Sequence, residues 1–121
     1  MSDAGRILVI APDEAMRLSL CFVLEAEGFA VGLAASALAV SGELEKADCI
    51  VIDDTALREA KAAGLTIGPC PVIVLAERPE ESVAGPGDRL VEKPLLGQAL
   101  IDLVEKVLPV RRMPEPATSI W

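Results

Sequence analysis

Two adjacent carboxylates, Asp53 and Asp54, end the apolar run Cys49 to Ile52 near the middle of the chain. A run this short, apolar on both faces and bounded by charge, predicts a central strand buried between two helical layers. Both aspartates then stand at its carboxyl end, where open α/β sheets place their ligands and their chemistry. The plainer alternative is that they only mark solvent and cap the next helix. Other reactive groups are sparse. Cys21, Cys49 and Cys70 are widely spaced and sit in apolar surroundings, and no histidine and no Cys-x-x-Cys exist to complete a metal or redox centre. They are expected to be reduced packing residues. There is no Gly-x-Gly-x-x-Gly, phosphate-binding loop, histidine base or Gly-x-Ser-x-Gly, so the chain does not read as an enzyme.

The elements that must hold this strand end are drawn from a chain that is 52% apolar, with Phe22, Phe29 and Trp121 as its aromatics. Its core must come from Val, Ile, Leu and Ala, which favours a helix-covered parallel sheet. At 121 residues it is one domain's worth. The formal charge of −8 and the lack of any basic block remove the electrostatic drive toward nucleic acid or an anionic membrane. No apolar run is long enough to span a bilayer and no secretory signal precedes the first apolar run, so a cytoplasmic protein is expected.

Along the chain, Arg6 to Ala11 predicts a short strand ended by Pro12, with Asp13 placed to cap a helix. From Glu14 to Glu27, Met16, Leu20, Val23, Leu24 and Glu27 share one stripe, and Gly28 closes the helix. Leu18 and Phe22 lie four apart on its other side. Phe29 to Leu33 predicts a second strand, and Ser36 to Lys46 a second helix capped by Ser36 and weakened by Gly42. After the central strand come a short helix from Thr55 to Ala63, ended by Gly64, and a strand from Val72 to Ala76. Glu77 to Gly87 is so rich in Pro and Gly that at most one helical turn fits between Pro79 and Ala84. Arg89 to Glu92 predicts a fifth strand, and Leu95 to Leu108 a last helix with Leu100, Val104 and Val107 facing the core. The expected domain is 1–108, followed by a Pro-rich mobile tail or truncated linker, 109–121. Alternating strands and helical segments predict an α/β fold, a three-layer (βα)5 sandwich around a five-stranded parallel sheet of flavodoxin-like type.

These residues resemble the CheY-like receiver domain of bacterial two-component response regulators over Arg6 to Leu108. The marks are Ile7-Leu-Val-Ile10; Arg17, Leu20, Leu24, Gly28 and Phe29; Asp48 to Asp53; Pro71-Val-Ile-Val-Leu75; and Glu92-Lys93-Pro94-Leu95. Each is weak alone and strong in this order, and the first helix looks most like the FixJ-type branch. The resemblance implies that Asp53 is the phosphoacceptor for a histidine kinase and that Lys93 pairs with the phosphoryl charge. A strand-end carboxylate can act as an in-line nucleophile, and a neighbouring lysine can neutralise transferred charge. Without a phosphoryl group, Lys93 is expected to pair with Asp53 itself.

The departures from the family are concentrated on its mechanism. The acidic pair that holds Mg²⁺ at the end of the first strand is replaced by Ala11 and Pro12, leaving Asp13 and Asp54 as the remaining acidic residues of the cluster. A Mg²⁺ held by few carboxylates would keep most of its waters, and losing it removes several kcal/mol of transition-state stabilisation. The hydroxyl residue ending the fourth strand is Ala76, the switching aromatic of the fifth is Leu90, and the fourth helix is cut to a Pro/Gly-rich stretch.

The favoured reading is therefore a divergent pseudo-receiver in phosphorelay signalling, acting through protein contacts without Mg²⁺-dependent phosphorylation and without any cofactor. Its partner would be a protein such as a histidine kinase or an effector domain, with a homodimer possible. Leu18, Phe22, Leu96 and Leu103 are the interface candidates on the first and last helices. The alternative is a conventional receiver phosphorylated on Asp53, which would need Mg²⁺. A haloacid-dehalogenase-type phosphatase is disfavoured because its Asp-x-Asp belongs on the first strand. A flavodoxin-type nucleotide binder is disfavoured because no phosphate loop follows that strand.

Overall fold

Strands in this chain alternate between two helical layers residue by residue, and that alternation is what builds the core. The computed structural model describes residues 5–67, 69–85, 87–93 and 97–107. Its strands are β1 (Arg6–Ile10), β2 (Ala30–Ala34), β3 (Cys49–Asp53), β4 (Val72–Ala76) and β5 (Arg89–Glu92). They form one five-stranded sheet in the order β2-β1-β3-β4-β5, with every neighbouring pair parallel. The order reverses direction between β1 and β3, so the carboxyl end of β3 lies at the switch point of the sheet.

The α-helices are α1 (Glu14–Ala26), α2 (Asp54–Ala62) and α3 (Gly97–Val107). On one face Ile7, Val9, Val51 and Ile73 meet Leu20 and Leu24 of α1 and Leu100 and Val104 of α3. On the other, Leu8, Ile10, Ile50 and Val74 meet Leu44 and the small face of α2, Ala56, Leu57 and Ala60. β3 and β4 are buried at every position, as strands covered on both sides must be.

Several boundaries differ from expectation for local reasons. Phe29 does not open β2. Its N–H donates to Leu24 O, and with Gly28 at φ +96° it closes α1 while its ring joins the core. The expected helix from Ser36 is a 3-10 winding over Leu38–Lys46 that is kinked at Val40. Ser36 does not occupy the capping position, although its Oγ accepts from Ala39 N at 3.3 Å. Gly42 and the β-branched Val40 explain why no regular α-helix forms there. The third helix begins one residue early, at Asp54. The Pro/Gly-rich stretch contains one 3-10 turn, Pro79–Glu81. Asp13 occupies the residue before α1, but its side chain makes no capping hydrogen bond. No helix among the described residues is long and apolar enough to cross a membrane. The tail from Pro109 and the side chain of Val107 lie outside the described residues.

Candidate functional site

Asp53 is the one buried charged residue among those described, and both of its oxygens are engaged. As the last residue of β3 and the residue before α2, it has an extended backbone that turns Oδ1 onto Thr55 N–H at 2.7 Å, the usual bond of a helix cap. Oδ2 takes a 2.5 Å hydrogen bond from Lys93 Nζ. Strand end and helix cap are thus one residue. Lys93 is aimed by backbone, since its N–H donates to Ala76 O at 2.9 Å and extends the β4–β5 ladder by one step. The buried Ala76 supplies no hydroxyl, but its carbonyl positions the lysine.

Asp54 points elsewhere. Its Oδ1 accepts from Ser82 Oγ at 2.6 Å and from Val83 N at 3.1 Å, and its Oδ2 accepts from Arg58 Nη2 at 2.9 Å. Arg58 also donates to Glu81 O at 3.1 Å, so the start of α2 is stapled to the β4–β5 connection. Burial alone would raise the Asp54 carboxyl. The bonds from Ser82, Val83 and Arg58 outweigh it and hold the group below its ordinary value of 3.8. The acidic cluster expected from Asp13 and Asp54 therefore does not assemble around Asp53. Asp13 is exposed, and Asp54 is committed to the staple.

At the end of β1 the corner is filled by a residue that the sequence did not single out for chemistry. Arg17, one turn into α1, sends Nη1 back to Ala11 O at 2.8 Å and to Pro12 O at 3.1 Å. Its length and position within the helix gave no signal of this return. The donor set does not fit a divalent metal. Ala11 and Pro12 offer no side-chain oxygen, their carbonyls already accept from a guanidinium, and each oxygen of Asp53 already accepts one hydrogen bond, from Thr55 or from Lys93. Among the described residues no group of three or more His, Cys, Asp or Glu could hold a metal.

The remaining candidates are scattered. Leu90 pairs in register with Val74 on the α2 face, where a loop stands in place of a helix, and it is left exposed. Leu18 and Phe22 are 54% and 76% exposed on the outer side of α1. Leu103 departs from expectation, being half-buried against the core shared by α1 and α3, because those helices pack side by side. Leu96 lies outside the described residues. Of the cysteines, Cys49 is buried while Cys21 and Cys70 are only half-buried. Burial pushes the Cys49 thiol up to about 12 and raises the other two, so none carries the thiolate that nucleophilic or metal chemistry needs.

No family model matches the chain, and no curated protein matches it. Solved structures do. The chemotaxis response regulator CheY4 of Vibrio cholerae is similar with a TM-score of 0.71 at 21% identity, over 87% of this chain and 99% of that one. A two-component response regulator from Clostridium difficile gives 0.70 at 22% identity, over 87% and 96%. The receiver domain of the hybrid histidine kinase CckA gives 0.66 at 25% identity, over 86% and 99%. With its five parallel strands in the order β2-β1-β3-β4-β5 and an aspartate at the switch point, the chain has the fold of a CheY-like response regulator receiver domain.

Proposed function

We propose that this is a divergent receiver domain of two-component signalling, working in a bacterial cytoplasm as a pseudo-receiver that binds a protein partner without Mg²⁺-dependent phosphorylation. The observation that carries the reading is the state of Asp53: one oxygen caps α2, the other is neutralised by Lys93, and no acidic partner stands at Ala11 or Pro12. Phosphoryl transfer depends mainly on positioning and charge neutralisation, and without a metal the site keeps only Lys93 from the family's charge-neutralising set. The domain has no catalytic group of its own. Its partner is a protein such as a histidine kinase or an effector domain, or a second copy, and the exposed Leu18 and Phe22 on α1 are where we place the contact.

The test is incubation with acetyl phosphate and Mg²⁺, read by intact-protein mass. The expected outcome is an unchanged mass for the unmodified chain. An adduct of one phosphoryl group that disappears in Asp53→Asn overturns the reading in favour of the conventional one, in which Asp53 is phosphorylated by a histidine kinase. That second reading draws its support from the Asp53–Lys93 contact, which a phosphorylated receiver would also need.

A further inference from the structure

The two edges of the sheet are not alike. β5 is short and carries a charged residue at each end, Arg89 and Glu92, a common protection of an open edge. β2 carries none, and no charged residue occurs between Glu27 and Glu43. We infer that a second copy of this chain pairs with β2 edge to edge, antiparallel about a two-fold axis at Gly32, joining two five-stranded sheets into one. The inference deepens the second-copy contact proposed on α1 and rests on it.

Main-chain direction fixes the register. Ala30 N donates to Gly5 O and Ala34 O accepts from Ala11 N, both at 3.0 Å, so Ala30, Gly32 and Ala34 turn their polar groups toward β1. Val31 and Leu33 therefore turn theirs to the open side, where no strand among the described residues meets them. Gly32 is the midpoint of β2, so an axis there overlaps the whole strand. Val31 then faces Leu33 of the second copy, Leu33 faces its Val31, and the two pairs close four main-chain hydrogen bonds. Both side chains lie on the α1 face, since Leu33 is in register with Val9 and Val31 packs on the same cluster. Leu33 is 38% exposed, so the pairing also covers apolar surface across the strands. Charge favours a second copy over a foreign strand. Two molecules of net charge −8 repel, and the uncharged run from Gly28 to Gly42 lets this edge meet its own image with no carboxylate on the strand, while a partner chosen by charge would find nothing on it to recognise. Hydrogen bonds exchanged for bonds to water add little net, so the edge sets the register while Leu18 and Phe22 of α1, the helix packed on β2, add the apolar surface that association needs.

The test compares dimerisation of the unmodified chain, Leu33→Lys and Leu90→Lys by sedimentation velocity, with circular dichroism as the check on folding. Leu90 is the control, 39% exposed on the opposite edge strand. Gly32 is left unchanged because a Cβ there would stand 3.3 Å from Leu8 Cδ1 within the monomer. Leu33→Lys acts twice in a two-fold interface and should weaken dimerisation about tenfold, while Leu90→Lys should not alter it. Amide hydrogen exchange on the unmodified chain gives a main-chain readout that needs no variant: the Val31 and Leu33 N–H groups should slow as rising concentration forms the dimer. A dimer whose Val31 and Leu33 amides exchange as in the monomer overturns the edge pairing and leaves the α1 contact standing. So does a Leu33→Lys variant that dimerises as the unmodified chain does, or equal weakening by Leu90→Lys. A chain that is monomeric at every concentration overturns both contacts between copies, and the metal-independent reading of Asp53 then stands or falls on its own phosphorylation test.

Discussion

Asp53 and Lys93 form a pair whose members are not equivalent, and the difference gives a measurable asymmetry. The Asp53 side chain is 6% exposed and the Lys93 side chain 19%. Removing the lysine leaves a buried carboxylate with one backbone donor, whereas removing the carboxylate charge leaves an ammonium with a path to water. Lys93→Met should therefore cost about 3 kcal/mol in a denaturant melt. Asp53→Asn should cost clearly less, because its amide oxygen can still accept from Thr55 N–H. Equal and negligible losses would show that both side chains are solvated. Asp54 is a separate case with its own pH dependence. Its folded carboxyl titrates below 3.8, so its contribution to stability is present above that value and is lost as the pH falls through the folded value. Asp54→Ala should flatten that part of the acid unfolding curve, and a curve unchanged by the substitution would remove the staple from the account.

Between elements, that staple takes the place of a missing helix. The connection from β4 to β5 is held by Ser82 and Val83 on Asp54 and by Glu81 O on Arg58, while Val83 and Ala84 pack against the α2-side core. Losing these bonds with Asp54→Ala should destabilise the fold by roughly 1–3 kcal/mol and speed hydrogen exchange at Val83 N–H well before the β3 amides respond. Uniform exchange across both segments would mean that the connection is not a separate unit. The strands that frame it were legible in the sequence, because runs such as Cys49 to Ile52 and Val72 to Ala76 are apolar on both faces and end in polar or Pro/Gly punctuation. Leu38–Lys46 was not, since its stripe is helical in period but Gly42 and Val40 spoil the winding. At the site, the strand-end position of Asp53 and the place of Lys93 after β5 could be read. The partners of Asp54 could not, because Ser82 lies 28 residues away in a stretch whose composition says only loop. Arg17 was hidden for a different reason, as helical spacing locates a Cα and does not say that a long side chain turns back past the first turn.

Over the whole molecule, a net charge of −8 and an unpartnered apolar pair set the terms of any self-association. Leu18 and Phe22 lie one turn apart on α1, on the side away from Leu20 and Leu24, while Leu103 of α3 is half-buried against the core. The exposed apolar surface proposed for a contact is therefore that of Leu18 and Phe22 on α1. Two copies meeting there would bury apolar surface, which salt does not weaken, while their like net charges repel, which salt screens. Association through this face should thus strengthen as ionic strength rises, the opposite of a contact held by ion pairs. Sedimentation velocity across a range of protein and salt concentrations measures this directly. Leu18→Glu with Phe22→Glu should abolish the association while changing stability by no more than about 0.5 kcal/mol, because both side chains are exposed. A loss of several kcal/mol would place them in the core. A chain that stays monomeric throughout, or a variant that associates as the unmodified chain does, would reassign this face to a different protein partner or to solvent alone, since a second copy would then not be what covers it.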